Sequence, residues 1–437
     1  MLMLKPHFRV NGMGHLVIGE MDAVEIVERF GSPLYVMDER RIRENYRRFH
    51  RAFSSRWPRV LVCYALKANS NLAVVRILQT EGAGADVSSE NEIKIALAAG
   101  IPGEKMVFNG NNKRPVELEL AIANDVVINV DSLQELEAVE KIASGLGRRA
   151  RVSFRINPNI SAPTHPHLAT GLRESKFGLD VESGQAIEAY RRAAKMNHVE
   201  VVGVHSHIGS QILDPRPFEE EARKLMDFVV EVRRELGITL RMVDFGGGVG
   251  IPYRPEDREL PVEEVAERVV GVVAEVVERE GLEPPTLVFE PGRYIVGDAG
   301  VILARVGYVK ERIGMPAWVS VDAGINALIR PALYGAYHHI ELANKMNLPN
   351  TVEYNVAGPL CESGDVLGKN RKLPPVDPGD IAVVFDAGAY GLAMSNQHTA
   401  QSRPAVVLVN GDRAEVIRRR ETVEDLIRLD RVPEWLR

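Results

Sequence analysis

Cysteine is scarce in this sequence, with 2 among 437 residues, so neither a disulfide framework nor an all-cysteine zinc site can be built from it. Charge of one sign is missing too. The 54 Lys and Arg stand interspersed among 60 Asp and Glu, and the net charge is −6. With no basic block or stripe to meet a polyanion, nucleic acid is set aside as a partner. No apolar stretch of about 18 residues runs free of charge, so no membrane-spanning helix is expected. The start, MLMLKPHFRVNG, lacks an apolar core followed by a small-residue cleavage site, which argues against secretion. Internal repeats and low-complexity segments are also lacking. What is present is an ordinary globular composition, 45% hydrophobic and 26% charged. At roughly 100–200 residues per domain, the length suggests two or three domains. The expectation is a cytoplasmic, water-soluble protein with a large core.

From about residue 60 two textures alternate. Short apolar or β-branched runs occur at RVLVCYAL (59–66), GADV (84–87), KMVFN (105–109), DVVINV (125–130), RVSFRIN (151–157), VEVVGVHSHI (199–208), RMVDFGG (241–247) and TLVFEPG (286–292). Between them lie segments with apolar residues at helical spacing, such as NLAVVRILQTEG and SLQELEAVEKIASG, several ending in Gly or Asn. Continuous apolar runs are what parallel strands covered by helices require. Eight such units over roughly 230 residues predict a (β/α)8 barrel, with an open doubly wound sheet as the alternative. After about residue 296 the helical texture gives way to strands separated by Pro/Gly turns such as LPPVDPGD (373–380). The fold expected is therefore α/β plus β: a barrel over 34–295, and a mainly β domain, sandwich- or barrel-like, made of 1–33 with 296–437. HLVIGEM and PLYVMD (33–38) are strand-like as well, which leaves open their pairing with the C-terminal strands and a discontinuous β domain.

Chemistry in such a barrel sits at the C-terminal ends of the strands. Lys67 follows the first strand in YALKANS; it is either an exposed lysine or an amine whose pKa drops in a partly desolvated pocket, where it can form a Schiff base. Gly246, Gly247 and Gly248 follow the seventh strand and Gly292 the eighth, the loops where barrels commonly bind phosphate. A tight turn would rarely need three consecutive glycines. Glu290, ending the eighth strand, needs a cationic or proton-bearing partner: a pyridine nitrogen would serve, and so would nearby Arg293. His207 offers a flat ring for stacking or a structural hydrogen bond, and Ser210 a hydroxyl for phosphate.

Lysine, phosphate cradle, carboxylate and stacking ring are the parts that hold pyridoxal 5′-phosphate. The motifs YALKAN, GADVSSENE, THPHLATGLRESKFG, GVHSHIGSQ, DFGGGVG, FEPGRY, RPALYGAYH, GPLCESGD and AGAYG run in order along nearly the whole chain. With them the sequence resembles the fold-type III pyridoxal-phosphate decarboxylases, most of all their branch acting on diaminopimelate. The resemblance implies that Lys67 binds the cofactor, Asp86 lies beside it, His207 stacks on its ring and Glu290 pairs with the pyridinium nitrogen. It implies a phosphate site of Ser210, Gly247, Gly248 and the Gly292–Arg293 backbone, with Gly246, Pro291 and Tyr390 completing the cofactor-binding set. Cys361 matches the family's proton donor, contributed across a homodimer interface with shared active sites. Arg293, Arg330, Tyr334, Glu362 and Tyr390 match substrate-binding positions. Asn69 and KFG (176–178) match without an assigned step. A thiol with a pKa of about 8.5 can return a proton to carbon at neutral pH; Cys63, inside a strand, reads as a small core residue.

The implied reaction is decarboxylation of meso-2,6-diaminopimelate to L-lysine, the last step of lysine biosynthesis. Two arginines suit a diacid substrate, although Arg330 can equally be a structural clasp. Ornithine, lysine or arginine is the alternative substrate. A metal-dependent hydrolase is the more remote one: His165/His167 and His205/His207 are H-x-H pairs, but no third ligand follows in a convincing position, so no metal is expected. A cofactor-binding homologue without catalysis is disfavoured by the presence of both Lys67 and Cys361.

Overall fold

In the computed structural model the described residues are 4–160 and 175–436; His165, His167 and the first part of the motif at 164–178 lie outside them. The chain divides into two compact units, one of 43–252 with 258–295 and one of 1–42 with 253–257 and 296–437.

The first unit is a closed parallel barrel. Its eight strands are Val60–Ala65, Gly84–Val87, Met106–Phe108, Val127–Val130, Ala150–Asn157, Val199–His205, Met242–Asp244 and Thr286–Phe289, the eight runs read from the sequence. The eighth strand pairs with the first, Leu287 opposite Val60 and Phe289 opposite Val62, so the open-sheet alternative is excluded. Local chemistry sets the covering helices. Asn71, Ser89 and Ser132 cap Leu72–Thr80, Glu90–Ala98 and Leu133–Gly145 by accepting from backbone N–H groups of the first turn. Arg216–Leu236 and Val262–Glu280 end at Gly237 and Gly281, both left-handed.

Inside the barrel, side chains alternate by strand pleat. Cys63, Val107, Val127, Val202, Met242 and Val288 form one buried apolar cluster. Two residues further along their strands, Val107, Val127, Met242 and Val288 are followed by Asn109, Asn129, Asp244 and Glu290, all buried. The sixth strand reaches the same layer by a bulge: Val201 lies opposite Val152 but Gly203 opposite Ser153, so Val202 is an extra residue. The bulge lets Val202 and His205, three apart, share the inward face, while Ser206 turns outward to hydrogen-bond Glu221 of the helix Arg216–Leu236.

The second unit is β-rich. Leu34–Asp38 pairs antiparallel with Gly300–Arg312 and parallel with Ala405–Asn410, and alternating residues of these strands (Leu34, Val36, Val301, Leu303, Val407, Val409) enter its core. These pairings move the unit boundary to 42/43 from the expected 33/34. PLYVMD does pair with C-terminal strands; HLVIGEM does not. Its strand Leu16–Ile18 folds with Arg9–Val10 and Met21–Asp22 into a separate three-stranded sheet. Among the described residues no helix is long and apolar enough to cross a membrane.

Candidate active site

Lys67 sits in a single 3-10 turn, Leu66–Ala68, directly after the first strand. Its amine forms an ion pair with Asp86, a fully buried residue of the second strand. Asp86 Oδ1 accepts from Asn109 Nδ2 at 2.8 Å, and the same amide donates to Glu290 Oε1 at 2.6 Å. Asn129 Nδ2 holds Asn109 Oδ1 at 2.8 Å, and Glu290 Oε2 faces His205 Nε2 at 3.4 Å. Asp244 Oδ1 accepts from Gly246 N at 2.9 Å.

Three carboxyls crowd this layer, and the environment decides which carries charge. Burial pushes the Asp86 carboxyl up, the Glu290 charge adds to the effect, and Lys67 opposes it. Burial, then the Glu290 charge, drives Asp244 well above the usual carboxylate range. For Glu290 burial pulls upward as well, but the charge and hydrogen bond of His205, with Lys67 close by, hold it far below that range. Glu290 is thus held ionised beside the Lys67–Asp86 ion pair.

The glycine loop is shaped by close approach. A Cβ on Gly246 would lie 2.6 Å from the Ser206 carbonyl and one on Gly248 2.7 Å from that of Gly209, while one on Gly247 would collide with the Glu290 carbonyl. Gly246 and Gly248 also have φ of +58° and +110°, so the tight-turn reading holds for these two alongside close packing. Gly247 N donates to His207 Nδ1 at 3.1 Å. Desolvation, then the Arg155 and Lys67 charges, pushes the His207 pKa well down, which keeps the ring neutral. Arg293 opens the short helix Arg293–Val296 and donates from Nη2 to Ser210 Oγ at 3.1 Å. Pro291 O accepts from Ala65 N at 3.2 Å, and a Cβ on Gly292 would meet Ala68 Cβ at 2.9 Å. Lys67, Asp86, His207, Ser210, Gly246–Gly248 and Glu290–Arg293 are therefore gathered at the C-terminal ends of five strands of one barrel.

Arg330, Tyr334, Cys361, Glu362 and Tyr390 belong to the β-rich unit. Arg330 and Tyr334 are the first and last residues of a five-residue helix. Buried Arg330 donates from Nε to His338 Nε2 at 3.2 Å, and its guanidinium carbon lies 5.2 Å from the Tyr253 ring centre and 6.0 Å from that of Tyr334. Cys361 and Glu362 are exposed in the loop between Val352–Ala357 and Val366–Leu373. Asp365 fastens this loop by accepting from Ile325 N at 2.7 Å and Leu360 N at 2.8 Å. Tyr390 has φ of +58°, a conformation rare for a tyrosine.

Sequence reasoning passed over Asn109, Asn129 and Asp244 and weighed His205 only as a possible metal ligand; together these four complete the polar layer. A polar residue two positions after an inward apolar one was the available signal for all but His205, whose parity is reset by the bulge. The KFG segment gains a structural role: the Arg155 guanidinium stacks 4.3 Å above the Phe177 ring, and Gly178 N donates to Asp131 Oδ1 at 3.0 Å. One expectation needs correcting. A further pair of possible metal ligands does accompany an H-x-H histidine, since atoms of His205, Asp244 and Glu290 lie within 4.8 Å of one another. The hydrolase alternative still leaves Lys67 and the glycine loop unexplained.

An amine paired with a buried carboxylate, a fixed anion and a side-chain-free loop on one barrel rim point to a class of enzyme. The family model for the pyridoxal-binding domain of pyridoxal-dependent decarboxylases matches residues 39–297, which sets that class. The diaminopimelate decarboxylase of Methanothermobacter thermautotrophicus is 46% identical over 432 residues, 99% of each chain. That of Bacillus subtilis is 40% identical over 423 residues, 97% of this chain and 96% of its own. The crystal structure of the Methanocaldococcus jannaschii diaminopimelate decarboxylase with L-lysine superposes with a TM-score of 0.93 at 44% identity, covering 99% of both chains. The chain belongs to the diaminopimelate decarboxylase family.

Proposed function

We propose that this protein decarboxylates meso-2,6-diaminopimelate with pyridoxal 5′-phosphate, releasing L-lysine and carbon dioxide as the last step of lysine biosynthesis. The observation that carries the reading is the Lys67 amine paired with buried Asp86, which Asn109 bridges to Glu290. The residues fit the cofactor. Lys67 supplies the amine that anchors it, and Asp86 steadies that amine. The backbone N–H groups of Gly247, Gly248, Gly292 and Arg293, with the Ser210 hydroxyl and the Arg293 guanidinium, offer donors to a phosphate beside glycines that admit no Cβ. His207 provides a flat neutral ring, and Glu290 an anion that keeps a pyridine nitrogen protonated. Bound there, the cofactor supplies an electron sink for the carbanion left by departing carbon dioxide.

The family resemblance supports the remaining roles. Cys361 returns the proton to carbon from its thiol, Tyr390 reaches the cofactor and substrate, and Arg293, Arg330, Tyr334 and Glu362 bind the substrate's carboxylates and distal ammonium. In this reading Cys361 is delivered by a second copy of the chain, so the enzyme is a homodimer with two shared sites, an isologous arrangement. A cytoplasmic location agrees with Cys63 and Cys361 being free thiols. Arg330 and the high identity to relatives named for diaminopimelate favour that substrate over ornithine, lysine or arginine.

The test is turnover of the four amino acids by the cofactor-loaded protein. Carbon dioxide release from meso-diaminopimelate should dominate; preference for ornithine, lysine or arginine would refute the substrate. Mixing Lys67→Ala with Cys361→Ala chains should restore part of the activity, and no recovery after confirmed subunit exchange would refute shared sites.

A further inference from the structure

We propose that His338 is a positioning residue for substrate recognition, setting the plane of the Arg330 guanidinium so that it meets the distal carboxylate. The inference rests on the reading of Arg330 as a substrate-binding group, and it concerns a residue to which no role has been given.

The placement follows from the RPALYGAYHH segment. The helix Arg330–Tyr334 stops at Gly335, left-handed at φ +59°, whose N–H returns to the Arg330 carbonyl. The chain then doubles back and brings His338 to Arg330. His338 is completely buried, with Nδ1 2.9 Å from the Phe385 carbonyl and Nε2 3.2 Å from Arg330 Nε. A carbonyl can only accept, so Nδ1 carries the proton; a guanidinium can only donate, so Nε2 presents its lone pair. Both neighbours demand the same neutral tautomer. The Tyr253 ring closes a third side, 5.2 Å from the guanidinium carbon and edge-on to His338 at 5.2 Å and 74°.

A guanidinium is a planar fork, and bidentate grip on a carboxylate depends on the direction of its Nη edge. An arginine left to its four side-chain torsions sweeps that edge over a wide arc. Gripped at Nε by an imidazole that is itself anchored to backbone, and flanked by an aromatic face, it is held in one orientation before substrate arrives. Adjacent His339 has other partners, Glu341 at 2.8 Å and the Tyr337 hydroxyl at 3.2 Å.

Decarboxylation removes one carboxylate and leaves the distal head group intact in L-lysine. L-lysine is therefore a probe for Arg330, and cadaverine, the same chain without that carboxylate, is its control. Both are to be titrated calorimetrically into holoenzyme carrying His338→Phe, His338→Gln or His338→Asn, alongside kcat and KM for meso-diaminopimelate. His338→Phe should weaken L-lysine about 10-fold or more, the scale of a lost hydrogen bond to a charged group. It should leave cadaverine unchanged and raise KM more than it lowers kcat. Gln, whose amide oxygen can occupy the Nε2 position, should recover most of the loss, and the shorter Asn should not. In an Arg330→Ala background His338→Phe should add nothing. Equal losses for L-lysine and cadaverine, or an undiminished His338 effect without Arg330, would overturn the proposal. If the Phe variant does not fold, Gln and Asn decide, and indistinguishable L-lysine affinities for the two would overturn it. A wild type that binds cadaverine as tightly as L-lysine, or that does not turn over diaminopimelate, would instead overturn the reading of Arg330 beneath it.

Discussion

The barrel interior holds two layers, one pleat apart, made from opposite chemistry. The layer of Cys63, Val107, Val127, Val202, Met242 and Val288 is apolar and buried. The next, toward the strands' C-terminal ends, contains Asp86, Asn109, Asn129, His205, Asp244 and Glu290, equally buried but bound into a network of hydrogen bonds and charges. The first layer gains from leaving water. The second loses by it, since buried carboxyls are costly, and its members are tolerable only because each holds a partner or a proton. A layer that works against stability and yet is assembled from six strands, one of them bulged, points to a use other than packing. The difference supports placing the proposed chemistry at this layer rather than at the apolar one.

Substitutions in the two layers should therefore fail in different ways. The largest effect is expected from Glu290→Gln, which removes an anion of the polar layer. It should lower kcat on diaminopimelate roughly 100- to 1000-fold, the range for losing one preorganised electrostatic contact, with little loss of thermal midpoint. Steady-state kinetics beside thermal unfolding reads both, and an unfolding loss with unchanged kcat would invert the assignment. Met242→Ala, in the apolar layer, should do the reverse, costing about 2–5 kcal/mol of stability while the folded enzyme keeps its kcat.

A smaller, pH-dependent effect should appear behind the polar layer. Glu221 is fully buried and hydrogen-bonded by Ser206, and burial pushes its carboxyl up to about 8 from an ordinary value of 4.5. The folded state then binds this proton more tightly than the unfolded state. Its contribution to stability is complete below about pH 4.5, declines as pH rises, and is gone above about pH 8. Glu221→Gln removes that dependence. The thermal midpoint of the variant relative to wild type should climb between those pH values, and a constant difference would show that Glu221 titrates normally.

The barrel was legible because its strands carry continuous apolar runs, and Lys67 and the triple glycine stood out as residues such runs do not need. Leu34–Asp38 was harder to place, because its partners at 300–303 and 405–409 lie hundreds of residues away and strand texture alone does not name a partner. His205 was hidden by the bulge at Val202: strict alternation from Val202 would have turned Ser206 inward, and only the register shift reverses the two. Asn109 and Asp244 were visible as letters but had no evident meaning until the strands closed and brought them to Glu290. His338 resisted for a different reason, since its value lies in a contact with Arg330 that a left-handed glycine creates.

The central claim is that the polar layer exists to serve a cofactor held by Lys67. The most direct test is borohydride reduction of the cofactor-loaded protein followed by peptide mapping. The label should fall on the peptide containing Lys67 alone, and Lys67→Ala should take up none. Label on another lysine, or equal labelling of the Lys67→Ala protein, would contradict the account.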